Sequence, residues 1–268
     1  MSGSELRLVL VGFGAIGQEV ARRLAGRPGV ALAGVAVRDP SAPREGLPAG
    51  AGLIGDPSEL AALAPDMVVE AAGRASVGPW GRAALELGAR FAVSSTSAFT
   101  EEGLLDALTA LAEARGGQLI VPPGALGGID ALAAAALLPL DAVRHEIIKP
   151  PRAWIGSPAE RLCDLDTLSA PVTFFEGSAR EAGAAFPQNA NVTVITALAG
   201  LGLDRTRVAM TADPGAVLNA HRIVARGAFG KLDMRIENQP LEGNPKSSAM
   251  TALSLVRLIE TQSATLRI

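Results

Sequence analysis

The run Val11-Gly12-Phe13-Gly14-Ala15-Ile16-Gly17 joins the end of an apolar stretch to an amphipathic one and spaces three glycines as GxGxxG. The first glycine permits a tight turn, the second lets the main chain come close to a phosphate, and the third lets a helix pack on a strand. The start of that helix offers free N–H groups to an anion. The motif predicts a pyrophosphate site with these contacts: Gly12, Phe13, Gly14, Ala15, Ile16 and Gly17.

The flanking sequence fits this interpretation. Residues 6–11 read as a buried parallel strand, and Ile16, Val20 and Leu24 have helical spacing. Strand and helix patterns then alternate as far as residue 121. This alternation predicts an α/β fold, with a doubly wound Rossmann domain over residues 1–122.

Asp39 follows the second predicted strand, 22 residues beyond Gly17. An acidic side chain near this position accepts hydrogen bonds from the ribose hydroxyls of NAD. The neighbouring Arg38 suits the 2′-phosphate of NADP, so the sequence predicts NAD or NADP as cofactor. A second interpretation stays open, because Asp-Pro after a strand is common turn chemistry.

Small and hydroxyl residues follow two further predicted strands. Ala71 ends the strand after Met67, and Ser94 ends the strand after Arg90. Because the carboxyl ends of parallel strands meet at one edge, we expect both residues beside the cofactor. The alternative is that small residues simply suit such turns.

Pro122-Pro123-Gly124 interrupts the alternation. Clustered strand patterns after it predict a second, smaller α+β domain over residues 123–243, for substrate binding and dimerisation. Apolar positions from Lys246 to Glu260 have helical spacing. Residues 244–268 are thus predicted to form a C-terminal helix that returns to the first domain.

Composition narrows the function. The 268 residues are 49% hydrophobic and carry a net charge of −3, without a basic cluster that would track nucleic acid. Apolar runs are too short to span a bilayer, and no signal peptide is evident, which predicts a cytoplasmic protein. One cysteine and two histidines predict no metal site. The absence of tyrosine excludes a Tyr-Lys dehydrogenase mechanism.

His221 is the candidate general acid and base, since strand alternation places it on one face with Asn219. A purely structural histidine is the alternative, and His145 is interpreted in that way. Asn189 and Asn191 precede an apolar helix, and either is a candidate to reach the nicotinamide carboxamide.

Seven segments, in order and spacing, resemble the L-aspartate dehydrogenases, over almost the whole chain. They are Gly12 to Gly17, Ser94 to Phe99, Pro122 to Asp130, Lys149 to Pro151, Pro187 to Val192, Asn219 to His221, and Gly243 to Ser247. The resemblance implies a homodimer that oxidises L-aspartate with NAD(P) to iminoaspartate and supports NAD biosynthesis. It also implies that His221 is the active-site histidine and that Ala125 and Asn191 contact the cofactor.

Aspartate carries two carboxylates, and a desolvated pocket requires cations or helix N-termini for both. Lys149 and Arg152 are the candidate cations, with Lys246 behind them, and a solvated surface charge is the alternative for each. Asn189 is a further candidate for substrate binding. Two alternatives stay open. One is a related two-domain oxidoreductase acting on another small acid, semialdehyde or imine, and the other is a non-catalytic protein that senses NAD(H).

Overall fold

The computed structural model describes residues 5–187, 189–242 and 244–267, with only the main chain of Pro245 and Lys246. Its internal contacts divide the chain into two compact units. One unit runs to Gly124 and resumes at Thr251, and the other comprises Ala125–Met250. The first unit is therefore discontinuous in sequence.

The first unit contains a six-stranded parallel sheet. Its strands are β1 (Leu6–Val11), β2 (Val30–Ala36), β3 (Gly52–Ile54), β4 (Met67–Glu70), β5 (Arg90–Val93) and β6 (Gln118–Ile120). Its helices are α1 (Ala15–Leu24), α2 (Leu60–Leu63), α3 (Arg74–Glu86) and α4 (Leu104–Arg115). The strand order β3-β2-β1-β4-β5-β6 reverses between β1 and β4, as in a dinucleotide-binding fold. The predicted Rossmann class is confirmed.

Strand β3 lies between Asp39 and Gly55, where the sequence predicts no strand. Its three residues pair in parallel with Gly34, Val35 and Ala36 at the edge of the sheet. A strand this short is too brief to show an alternating pattern.

A C-terminal helix, α8 (Ala249–Ser263), contributes to the core of the first unit. Strands β1 and β4 are buried along most of their length, which explains their continuous apolar sequences. The buried residues that α8 adds to the same core are Ala252, Leu255, Val256 and Ile259. The predicted return of the C-terminal helix is confirmed.

The predicted start of that helix at Lys246 is wrong. Residues Asn244–Ser248 form strand β13, which pairs antiparallel with β12 (Pro240–Leu241). The N–H of Ala249 donates to the carbonyl of Gln239 at 3.0 Å. This pairing overrides a local pattern that suited a helix, so α8 begins only at Ala249.

The second unit contains a five-stranded mixed sheet, as the α+β prediction requires. Its strands are β7 (Leu140–Lys149), β8 (Val172–Ser178), β9 (Arg207–Ala212), β10 (Asn219–Gly227) and β11 (Gly230–Asn238). They are ordered β11-β10-β7-β9-β8, and only β7 and β9 pair in parallel. The helices are α5 (Ile129–Ala135), α6 (Ala179–Ala185) and α7 (Asn191–Ala199).

The register of β7 and β10 decides which side chains share a face. His221 pairs with Ile147, and Ile223 pairs with His145. Paired residues point to the same side of a sheet, and alternation adds Lys149 to that side. Ile147 packs in a core with Ala197 of α7, so this helix covers the face.

Candidate active site

The glycine turn of the first unit has the shape that a dinucleotide phosphate requires. Gly12 has φ +99°, and a Cβ there would lie 2.8 Å from the carbonyl oxygen of Ala71. A Cβ at Gly17 would overlap the carbonyl oxygen of Gly12, whereas Gly14 has open space around it. Helix α1 begins after Gly14 without a side-chain cap. Its first N–H groups therefore suit an anion, and the residues present fit NAD(P).

The other residues of the turn contribute main chain rather than side chain. Phe13 is buried and, with the partly buried Ile16, packs in the core of the first unit. The carbonyl of Phe13 accepts a hydrogen bond from Nε2 of Gln18 at 3.1 Å. Ala15 is the first residue of α1. A phosphate at this turn would thus meet N–H groups.

The ends of β1, β4 and β5 lie side by side, because these strands are neighbours in the sheet. Gly12, Ala71 and Ser94 each follow one of them directly. The N–H of Ala71 donates to Val11 at 2.8 Å, and that of Ser94 donates to Glu70 at 3.0 Å. The structure therefore brings these three predicted cofactor residues to one edge.

Glu70 organises this edge, and the sequence interpretation missed it. Its carboxylate is fully buried at the end of β4. Oε1 accepts from the N–H groups of Ala72 and Gly73, both at 2.8 Å, and from the Ser76 hydroxyl at 3.0 Å. Ser95 donates its N–H to Oε2 and its hydroxyl to Oε1, both at 2.9 Å. One carboxylate thus holds two adjacent loops.

Asp39 lies beyond β2 and is exposed. Its Oδ1 accepts from the hydroxyl of Ser41 at 2.6 Å and from its N–H at 3.0 Å. These bonds hold the pKa of the carboxyl below its usual range. Asp39 therefore forms the turn that its second interpretation predicted. Contact of its carboxylate with the ribose of the cofactor stays a proposal.

His221 lies on β10 and is 5% exposed. Its Nδ1 is 3.2 Å from Nε2 of His145, and Nδ1 of His145 is 2.8 Å from Oγ1 of Thr196. Burial, followed by the proximity of the His145 ring and of the Lys149 ammonium, lowers the pKa of His221 well below its usual value. The imidazole is therefore a neutral base at physiological pH. His145, which the sequence predicts to be structural, contacts His221 directly.

Lys149 ends β7 on the same face as His221 and is 8% exposed. Its Nζ donates to Oδ1 of Asn189 at 2.7 Å and lies 4.9 Å from the ring centroid of Trp154. Burial lowers the pKa of Lys149 to about 8. Among ion pairs between described residues, none involves this ammonium. The side chain is therefore a buried cation that an anion would neutralise.

The remaining predicted residues have varied positions. Ala125 is buried, and its carbonyl accepts from Nδ2 of Asn238 at 2.9 Å. Asn191 is the first residue of α7. Arg152 lies in a short 3-10 helix, Pro151–Trp154, with its side chain exposed. The side chain of Lys246, like Gln188 and Gly243, lies outside the described residues.

A glycine turn at the reversal of a doubly wound parallel sheet defines the class of this protein, an NAD(P)-dependent dehydrogenase. The family model for the NAD binding domain of homoserine dehydrogenase matches residues 12–122, and the model for the C-terminal domain of aspartate dehydrogenase matches residues 130–262. An L-aspartate dehydrogenase of Brucella anthropi is 59% identical over 99% of both chains. The chain belongs to the L-aspartate dehydrogenase family.

Two further similarities cover nearly the whole chain. An L-aspartate dehydrogenase of Pseudomonas aeruginosa is 42% identical over 95% of this chain and 96% of its own. The crystal structure of aspartate dehydrogenase from Thermotoga maritima aligns with a TM-score of 0.78 at 24% identity, covering 98% of this chain and 99% of that one. That structure supports the two-unit fold.

Among the described residues, no group of three or more His, Cys, Asp or Glu side chains has the arrangement of a metal site. None of the described helices has the length and apolar character needed to cross a membrane.

Proposed function

We propose that the enzyme oxidises L-aspartate to iminoaspartate with NAD(P)+, and that iminoaspartate hydrolyses to oxaloacetate and ammonia. The observation that carries this proposal is Lys149, a buried ammonium on the same sheet face as His221 without an ion-pair partner among the described residues. A buried charge without a partner is costly, and a substrate carboxylate would supply the partner. Relatives named L-aspartate dehydrogenase support the substrate.

His221 is the proposed general acid and base. The glycine turn from Gly12 to Gly17 would hold NAD(P)+, which would supply the hydride acceptor for oxidation at the α-carbon of the substrate. Nε2 of His221 takes a proton from the water that attacks the resulting imine carbon. The same nitrogen then returns the proton to the amine nitrogen of the carbinolamine, and it takes the hydroxyl proton as the C–N bond breaks and the carbonyl forms. A neutral imidazole suits the first of these transfers because it has a free lone pair.

Lys149 is proposed to bind one substrate carboxylate, and Asn189 to orient the Lys149 ammonium through the bond at 2.7 Å. Arg152 and Lys246 are the proposed partners of the second carboxylate. The exposed position of Arg152 leaves its guanidinium available to a ligand. Proposed cofactor contacts are Gly12, Phe13, Gly14, Ala15, Ile16, Gly17, Asp39, Ala71, Ser94, Ala125 and Asn191.

The family resemblance supports three wider proposals. The enzyme works as a homodimer, it acts in the cytoplasm, where aspartate and NAD(P) are available, and its product feeds NAD biosynthesis. Sedimentation equilibrium tests the first proposal, since a homodimer has twice the chain mass. Imaging of the tagged protein in its native cell tests the second, and growth of a deletion strain without added pyridine precursors tests the third.

A steady-state assay tests the proposed reaction. Aspartate, glutamate, alanine and homoserine are each supplied with NAD+ and with NADP+, and aspartate should have the highest kcat/KM. His221→Ala should reduce kcat by about 10²-fold or more while leaving NADH binding intact. Equal turnover of the four substrates would contradict the proposed substrate, and unchanged kcat in His221→Ala would contradict the assigned base.

A further inference from the structure

His145 is fully buried on β7, and both of its ring nitrogens have partners. Nε2 faces Nδ1 of His221 at 3.2 Å, and Nδ1 faces the hydroxyl of Thr196 at 2.8 Å. No step of the proposed reaction requires His145 to touch the substrate. The contact of His145 with His221 therefore has a role other than binding the substrate.

His221, His145, Thr196 and the carbonyl of Val192 form a series of hydrogen bonds. The direction of each bond follows from the last one, between Thr196 and Val192. The Thr196 hydroxyl donates to the carbonyl of Val192 at 3.0 Å, and a carbonyl has no proton to give back. The hydroxyl proton is thus committed, so Oγ1 of Thr196 accepts from Nδ1 of His145. Burial lowers the pKa of His145 to about 3, so this ring is neutral and carries one proton. That proton is on Nδ1, which leaves Nε2 as an acceptor.

Nδ1 of His221 must then be the donor to Nε2 of His145, because two unprotonated nitrogens cannot bond to each other. A neutral imidazole has one N–H, so Nε2 of His221 is left with a lone pair. From these contacts we infer that Thr196 and His145 are positioning residues that fix His221 in the tautomer with an unprotonated Nε2. This inference rests on the proposed function only for the role of His221 as base.

The opposite orientation would disable the base. If Thr196 donated to His145, both hydrogen bonds of His145 would reverse their direction, and Nε2 of His221 would carry a hydrogen. Such a nitrogen donates and cannot take a proton from water. The series of hydrogen bonds also ends at the main-chain carbonyl of Val192, which cannot be protonated at neutral pH. It therefore holds the tautomer of His221 without carrying a proton away from it.

Nitrogen NMR tests the tautomer directly, because the protein contains only two histidines. The untagged full-length protein is labelled with ¹⁵N-histidine, and His145→Gln assigns the two rings. We expect both rings to be neutral, with Nδ1 protonated and Nε2 unprotonated. A spectrum in which Nε2 of His221 is protonated would overturn the inference.

Substitutions at Thr196 test the link to catalysis. Thr196→Val removes the hydroxyl with little change of shape, and we expect a shift of His221 towards the Nε2-protonated form. With it, kcat should fall about 10- to 100-fold, a part of the 10²–10⁴-fold that general-base catalysis contributes. KM for the cofactor should stay unchanged. Thr196→Ser keeps the hydroxyl and should restore both the spectrum and kcat.

Thr193→Val is the matched control. Thr193 is buried on the same helix and donates its hydroxyl to the carbonyl of Ala190 at 2.8 Å, a bond that does not involve either histidine. This variant should keep the wild-type spectrum and kcat. An unchanged spectrum or unchanged kcat in Thr196→Val would overturn the inference, as would an equal loss in Thr193→Val.

The two proposals fail in different ways. Full activity in His221→Ala would remove the proposed base whatever the spectrum shows. Loss of activity in His221→Ala, together with wild-type tautomers in Thr196→Val, would leave the base in place and reject the positioning role of Thr196 and His145.

Discussion

The ammonium of Lys149 donates to the amide oxygen of Asn189 at 2.7 Å, across 40 residues of sequence. An amide oxygen carries only a partial charge, so this bond orients the ammonium without neutralising it. The hydrogen bond between Lys149 and Asn189 is thus well formed, but the positive charge of Lys149 is not neutralised. This imbalance is what we expect of a side chain that binds an anionic substrate.

Lys149→Met tests this relationship by removing the charge and keeping the length of the side chain. We expect KM for aspartate to rise about 10- to 100-fold, because a hydrogen bond to a charged group contributes about 1.5–3 kcal/mol. The Kd for NADH, measured by fluorescence, should change less than about twofold. Lys231→Met is the control, since Lys231 is exposed and pairs with Asp233 at 3.3 Å. An unchanged KM in Lys149→Met would remove Lys149 from the substrate site.

The pKa of about 8 for Lys149 predicts how anion binding depends on pH. Below this value the free enzyme carries the ammonium, and above it the amine is neutral. Succinate is a suitable probe because it is a dianion that cannot be oxidised at an amine. Its inhibition constant should be constant below pH 8 and rise by up to about tenfold per pH unit above it. In Lys149→Met the constant should be high and flat, and the same rise in that variant would point to another group.

Glu70→Gln tests the buried carboxylate that holds two loops of the first unit. An amide presents N–H groups to donors, so at least one of the five bonds to Glu70 becomes a repulsive contact. We expect a loss of about 1–3 kcal/mol in stability and weaker NADH binding. Glu86→Gln, at an exposed position on α3, should change neither quantity. Calorimetry and NADH titration measure both effects, and wild-type affinity in Glu70→Gln would show that these loops do not shape the cofactor site.

The lowered pKa values of His145 and His221 predict that the folded protein loses stability in acid. The pKa of His145 is lowered to about 3 by burial, and that of His221 is also lowered. As the pH falls below about 6.5, the unfolded chain takes up protons that the folded protein excludes, so stability decreases as the pH falls towards 3, at roughly 1.4 kcal/mol per unit for each histidine.

His145→Gln should show a smaller pH slope, because only one such histidine remains. In a Trp80→Phe background, the buried Trp154 reports on the second unit alone, and urea unfolding at several pH values gives the slope. Equal slopes in the two proteins would contradict the neutral, buried state of His145.

The predictable parts of the structure were those with local patterns. The glycine turn, the strands that flank it and the alternation around His221 all depend on residues close in sequence. Strands β3 and β13 depend on pairing with distant partners, so their own residues gave no adequate signal. The helix predicted from Lys246 had the right spacing but lost its first turn to that pairing.

The candidate site was less predictable, because its contacts also join residues that are distant in sequence. His145 and His221 are 76 residues apart, and only the register of β7 and β10 places them on one face. Thr196 adds a contact from a helix that no periodicity links to either strand. Glu70 did leave a signal, since an acidic residue at the end of the apolar run Met67-Val68-Val69 is unusual in a buried strand.

The contribution of α8 to the first core has a consequence during protein synthesis. The ribosome completes residues 125–250 before Leu255 and Ile259 exist, so the second unit has all of its residues while the first still lacks part of its interior. Until α8 has been synthesised, the nascent first unit exposes the apolar surface that this helix covers in the folded protein. Premature termination near residue 250 would release a chain with one finished unit and one that chaperones or proteases would recognise.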